Sequence, residues 1–154
     1  MKVIILSGKA RNGKTETANI IKEQLELEGF KPLKLAYGDY LKDICKRLAN
    51  WNGEKNEVGR AILQQTGTNI VREKLHMSDL WVNHVINEVK IAEYLGYTHI
   101  IIDDARFKNE LYIPKANFYD CVTVRVERLG FKSDLTDEQL KHRSETELDN
   151  EKFD

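Results

Sequence analysis

Apolar positions along the chain fall into short β-branched runs separated by stretches with helical spacing. Lys2–Ser7 (KVIILS) has no polar alternation, as expected of a strand covered on both faces. Glycine-rich sequence follows, and then Ala18, Ile21 and Leu25 recur at helical spacing until Gly29 supplies a stop. Residues 33–37 (LKLAY) predict a second strand, and residues 39–48 and 58–75 predict helices separated by the polar turn 50–56. After Ser78, the residues Trp81, Val85, Val89 and Ala92 mark one face of a further helix that ends at Gly96. Residues 98–103 (THIIID) and 121–126 (CVTVRV) predict a third and a fourth strand. Pro32 and Pro114 are expected at element boundaries.

Strands that alternate with helical stretches imply βαβ units, so the expected fold is α/β, a parallel sheet with helices on both faces. Near the carboxyl end, Thr136-Asp-Glu-Gln139 fits a capping box with Leu135 and Leu140 as a hydrophobic staple. Ser144-Glu-Thr-Glu147 fits a second box. Read alone, these two boxes start two short helices.

Composition narrows the picture in only a few ways. The 154 residues favour one domain. Lysine plus arginine total 24 and aspartate plus glutamate 25, a net charge of -1, which argues against a basic nucleic-acid coat. Two cysteines, Cys45 and Cys121, are too few for a disulfide framework and read as small core residues. No run approaches the roughly 20 apolar residues of a membrane span. The expectation is a cytoplasmic protein without membrane or stable nucleic-acid partners.

The chemistry begins at Gly8-Lys-Ala-Arg-Asn-Gly13-Lys14-Thr15, which satisfies the GxxxxGK[ST] phosphate-loop pattern between a predicted strand and a predicted helix. Glycines let backbone N–H groups wrap a phosphate, the helix presents its positive end, and Lys14 reaches the β/γ-phosphates. The Thr15 hydroxyl is suited to Mg²⁺. Gly8, Ala10, Arg11, Asn12, Gly13, Lys14 and Thr15 are therefore the expected ATP-binding set. No NKxD guanine-reading motif follows, and the chain is short for a motor or a helicase, which leaves small kinases.

A second candidate lies at Ile100-Ile-Ile-Asp-Asp104-Ala-Arg106-Phe-Lys-Asn109-Glu110, where a strand ends in carboxylates followed by an arginine. Ligands in open parallel sheets bind beyond the carboxyl ends of the strands. The alternative is a helix cap at Asp104 followed by a surface arginine.

Five elements in order resemble the phage-type deoxynucleoside monophosphate kinases, within the P-loop nucleoside monophosphate kinase group. Beside the phosphate loop, Tyr37-Gly-Asp39-Tyr-Leu-Lys42 is similar to the family's FADPLK. Ile62-Leu-Gln-Gln65-Thr-Gly67-Thr68-Asn-Ile-Val-Arg72 matches LLQxxGTxxxR and is followed by Trp81. Asp104-Ala-Arg106-Phe-Lys-Asn109-Glu110 matches DVRFxNE, and His142-Arg-Ser144-Glu145-Thr-Glu-Leu148-Asp149 matches HxSExxLD.

The resemblance implies one domain over 1–154, with an acceptor-binding region at about 38–80 and a lid-like segment at about 128–145. It implies transfer of the γ-phosphoryl group of ATP to a deoxynucleoside 5'-monophosphate with Mg²⁺, in a host cytoplasm if the chain is phage-encoded. Lys14, Arg106, Arg128 and Arg143 are the implied catalytic cations. Asp39, Lys42, Gln65, Arg72, Trp81, Asp104, Arg106, Asn109 and Glu110 are the implied acceptor side, with Arg72 on the acceptor phosphate. Trp81 is then a base-stacking residue, or else simply core. Thr15 and Asp104 are the implied metal side.

Base selectivity is not carried over, because Tyr37, Gly38 and Tyr40 depart from the family pattern. Relatives continue beyond the dipeptide that matches Phe153-Asp154 into a last strand and helix. The expectation is a sheet without that strand, or an edge covered by a second copy in a homodimer. Two other functions stay open: a phosphomevalonate-kinase-like enzyme, and a nucleotide-binding protein without turnover.

Overall fold

A computed structural model describes residues 1–54, 56–133 and 135–154. Lys55, within the 50–56 turn, and Asp134, within the lid-like 128–145 segment, lie outside the described residues. The chain forms β1 (Lys2–Ser7), α1 (Lys14–Leu27), β2 (Pro32–Leu35), α2 (Tyr37–Leu48) and α3 (Glu57–Gln64). A π-helical segment (Gln65–Lys74), α4 (Leu80–Tyr94), β3 (His99–Ala105), α5 (Asn109–Asn117), β4 (Cys121–Arg125), α6 (Asp137–Lys141) and α7 (Arg143–Thr146) follow.

The strands form one parallel sheet in the order β2-β3-β1-β4. Alternation along the central strands divides the core into two layers. Val3, Ile5, Ile100 and Ile102 face a cluster with Val82, Val85 and Val89 of α4 and Leu111 of α5. Leu6 and Ile101 point the other way, onto Ala18, with Ile21 and Leu25 of α1 beside them. Helices thus cover both faces, as the β-branched runs imply.

After β1 the chain departs towards β2, whereas after β3 it departs towards β4. The carboxyl ends of β1 and β3 therefore flank a topological switch point, where a crevice opens in parallel sheets. Among the described residues, no helix is long and apolar enough to cross a membrane.

Four elements differ from the sequence expectation. The second strand ends at Leu35, and α2 starts at Tyr37 rather than at 39, because Asp104 supplies its first-turn amides with an acceptor. The expected single helix 58–75 changes pitch after Gln64 into the π-helical segment. Pro114 lies inside α5 rather than at a boundary. A proline leaves the carbonyl four residues earlier without its partner, and here the Tyr37 hydroxyl donates to that Glu110 carbonyl at 2.7 Å.

The fourth difference is at the carboxyl end. The Thr136/Gln139 capping box forms. The Ser144/Glu147 box does not, because the His142 side chain caps α7 by accepting from the Ser144 amide.

At the sheet edge, Thr123 of β4 donates its amide to the Asp154 carboxylate at 2.9 Å and accepts the Asp154 amide at 3.0 Å. Cys45 is buried, Cys121 is half-buried, and both are free thiols.

Candidate functional site

The crevice holds a cleft of about 590 Å³, lined from one side by the loop after β1 and from the other by α2, α3 and the π-helical segment. The loop's shape depends on two glycines. Gly8 has φ +156°, and a Cβ there would stand 2.4 Å from the Val126 carbonyl oxygen. Gly13 has φ +90° as the residue preceding α1, in the left-handed region that glycine enters freely. Among the described residues no side chain caps α1, whose first amides have no partner within the helix.

Lys14 donates to the Gly8 carbonyl at 2.7 Å and to the Lys9 carbonyl at 2.8 Å. Burial, reinforced by the Arg106 charge, pulls its ammonium down to about 8, while Glu145, Asp104 and Asp103 pull the other way. Ala10, Arg11 and Thr15 line the cleft with Lys14. Arg11 takes a left-handed φ of 61°. Gly8, Asn12 and Gly13 shape the loop without lining the cleft.

Across the crevice, alternation along β3 sends its two carboxylates to opposite faces. Asp103 shares the face of Ile101 and α1, and it lines the cleft with Lys14 and Thr15. Asp104 lies on the α2 side, where it accepts from the Tyr37 amide at 2.8 Å and the Gly38 amide at 2.9 Å. Burial raises the Asp104 carboxyl, with those two amides opposing. Each of its oxygens accepts one amide and keeps a further lone pair, and Asp103 and Asp104 both line the cleft with Thr15. Asp104 does cap a helix, but one far away in sequence rather than the next.

Arg106 lines the cleft and donates to the Ser144 carbonyl at 3.2 Å and to the Glu145 carboxylate. Glu145 also accepts the Ala10 amide of the loop at 3.0 Å.

On the far wall the expectations divide. Arg72 reaches the cleft, but its guanidinium donates to the Ser78 carbonyl at 2.7 Å and to Glu110 at 2.5 Å. It also lies 3.9 Å over the Phe107 ring. Glu110 accepts two further amides, from Arg106 at 2.7 Å and Phe107 at 3.1 Å. Burial pushes the Glu110 carboxyl up to about 7, with Arg72 and those amides pulling against it. Arg72 thus lines the cleft while both of its terminal nitrogens are bonded within the fold.

Asn109 bridges Ser78 and Asp79 outside the cleft. Lys42 lines the cleft and pairs with the exposed Asp39 at 2.7 Å. Burial depresses the Lys42 ammonium, but its bond to Asp39 and the charges of Asp39, Asp104 and Asp103 outweigh that, and the net shift is upward. Trp81 is buried, donates to the Gly67 carbonyl at 3.3 Å and still lines the cleft, so it is both core and lining.

Gln65, expected at the site, turns outward to Asn69, while its neighbour Gln64 faces the cleft. Arg128 is exposed over Phe131, and Arg143 pairs with Glu147 and Glu73. Neither arginine lines the cleft.

Sequence reasoning missed Arg60, Leu63, Gln64 and Thr68, which face the cleft with Gly67. Their spacing marks one helical stripe and was the available signal. The Arg60 guanidinium makes no hydrogen bond or ion pair among the described residues. Asp103 was legible too, from its alternation with Ile101.

No protein-family model matches the chain, and a search of curated proteins returns no significant match.

Proposed function

We propose that the chain is an ATP-dependent kinase that phosphorylates a deoxynucleoside 5'-monophosphate, with a P-loop kinase fold. One observation carries the reading: the phosphate loop, Arg106 and an apolar wall with Arg60 meet in a single cleft at the β1/β3 switch point. Leu41, Leu63 and Trp81 suit the flat faces of a base better than a small phosphorylated acid. This favours a nucleotide acceptor over a phosphomevalonate-like one.

In this reading the loop amides and Lys14 hold the donor phosphates, and Arg60 with Lys42 meets the acceptor phosphate. An acceptor phosphate oxygen attacks the γ-phosphorus, the bond to the β-bridging oxygen breaks, and ADP leaves with the electron pair. Lys14 and Arg106 neutralise charge that shifts between these oxygens, which is most of the work in phosphoryl transfer.

The residues fit a Mg²⁺ ion bound chiefly through phosphates. Among the described residues no three His, Cys, Asp or Glu side chains cluster into a protein cage, and Mg²⁺ commonly takes one or two protein oxygens beside phosphates. Thr15 and Asp103 would hold it, and the ion would supply charge neutralisation on the donor.

A second copy of the chain would pack beside the β4 edge, where Val124 is exposed, and would have to displace Asp154 from Thr123 to add a strand there. Sedimentation at micromolar concentration tests that dimer. A coupled ADP-release assay over the four deoxynucleoside monophosphates and phosphomevalonate tests the function. Turnover with a monophosphate is the expected result. ATP binding without turnover would leave a binding protein.

A further inference from the structure

We propose that Glu145 is an internal phosphate mimic: its carboxylate occupies the loop's anion position, so an incoming phosphate has to displace it. The inference rests on the phosphate-loop reading and adds a regulation of that site. Glu145 is 8% exposed and lines the same cleft as Lys14 and Thr15. One carboxylate oxygen accepts the Ala10 loop amide at 3.0 Å, and the other accepts the Arg106 guanidinium. A loop amide and an arginine N–H are donors that phosphate oxygens take. Lys14, meanwhile, is folded back onto the loop carbonyls of Gly8 and Lys9.

The rest of the segment has anchors of its own that do not involve the loop amides. Leu148 is 4% exposed in the core, Asp149 pairs with Lys9 at 2.9 Å and with Arg125 at 3.2 Å, and Glu147 accepts the Lys108 amide at 3.0 Å. Asp149 holds the loop only through the Lys9 side chain, whereas Glu145 takes a loop amide, so release of Glu145 is a local rotation and α7 stays docked. A carboxylate left beside a bound phosphate would repel it at short range. Phosphate binding and Glu145 release therefore compete.

Calorimetric titration of inorganic tripolyphosphate and of ADP into the wild type, Glu145→Gln and Glu145→Ala tests this. Gln keeps the shape and an acceptor for Ala10 but removes the charge. Glu145→Gln is expected to bind tripolyphosphate about tenfold tighter than the wild type, and Glu145→Ala should shift the same way. Equal or weaker binding by Glu145→Gln overturns the proposal and makes Glu145 a positioning partner of Arg106. Should Glu145→Ala fail to fold, the near-isosteric Gln variant decides alone. If none of the three binds either ligand while their thermal transitions stay intact, the phosphate-loop reading falls, and this inference with it.

Discussion

Two arginine–glutamate pairs face the same cleft and differ in almost everything else. In Arg72–Glu110 the side chains are 4% and 3% exposed, and in Arg106–Glu145 they are 27% and 5% exposed. The first pair is saturated: every Glu110 oxygen has a donor, and Arg72 is bonded to Glu110 and Ser78 and stacked on Phe107. The second pair shares its carboxylate with a loop amide and leaves much of its guanidinium open to the cleft. Each pair contributes an arginine to the cleft lining, but Arg72 has both terminal nitrogens bonded within a buried pair, whereas Arg106 is 27% exposed. Burial of both partners separates a bolt from a working group.

The harshest way to break that contrast is Arg72→Ala. Removing one partner of a buried pair costs about 3–5 kcal/mol, so the thermal midpoint should fall sharply. The loss should depend on pH with a definite sign. Burial already holds Glu110 near 7; without Arg72 it rises further above its unfolded value. An acid raised in the folded state keeps its stability below the unfolded pKa and loses it as pH rises through the folded one. The variant should recover stability towards pH 5. Denaturant melts across pH check this, and a midpoint near wild type at pH 8 would remove the bolt.

On the working side, Lys14→Ala and Arg106→Ala should each cut turnover by roughly 10²–10³, with melting little changed. Steady-state rates beside calorimetry read both quantities. A large stability loss in Arg106→Ala would make the two pairs alike after all. Smaller still, Arg60→Ala should raise the Michaelis constant for the monophosphate about tenfold and leave that for ATP within about twofold, since it removes uniform acceptor binding. If Arg72 rather than Arg60 holds the acceptor, the Arg60→Ala constants will match wild type.

The finest test uses Lys14. Because its ammonium sits at about 8, tripolyphosphate binding at pH 8 should take up about half a proton, and almost none below pH 7. Titration in buffers of differing ionisation enthalpy measures the uptake.

Much of this was legible in the sequence, for local reasons. The β-branched runs announced the strands, and the glycines with Lys14 announced the loop, because sterics and phosphate chemistry act over a few residues. What escaped was non-local. Pro114 reads as a boundary until Tyr37, from another element, takes the carbonyl that it frees. Arg72 reads as a ligand residue, and the buried bond to Glu110 of α5 has no signal in its own segment. The change of pitch at Gln65 leaves no mark in ten residues of pattern. Glu145 reads as part of a cap, and only the return of the chain to the loop reveals its company.

Asp104 also has a mechanical consequence. By holding the amides of Tyr37 and Gly38, it welds α2 to the end of β3, and the Tyr37 hydroxyl adds a second weld to α5. Lys42 and Leu41 therefore ride on a rigid frame, at a fixed span from Arg106. Arg60 and Gln64 belong instead to an arm that rejoins the frame where Gly67 rests on Leu41; a Cβ at Gly67 would stand 2.5 Å from that leucine's Cδ2. Deuterium uptake should divide along the same line, with the Tyr37 and Gly38 amides exchanging as slowly as the sheet and the α3 amides exchanging sooner.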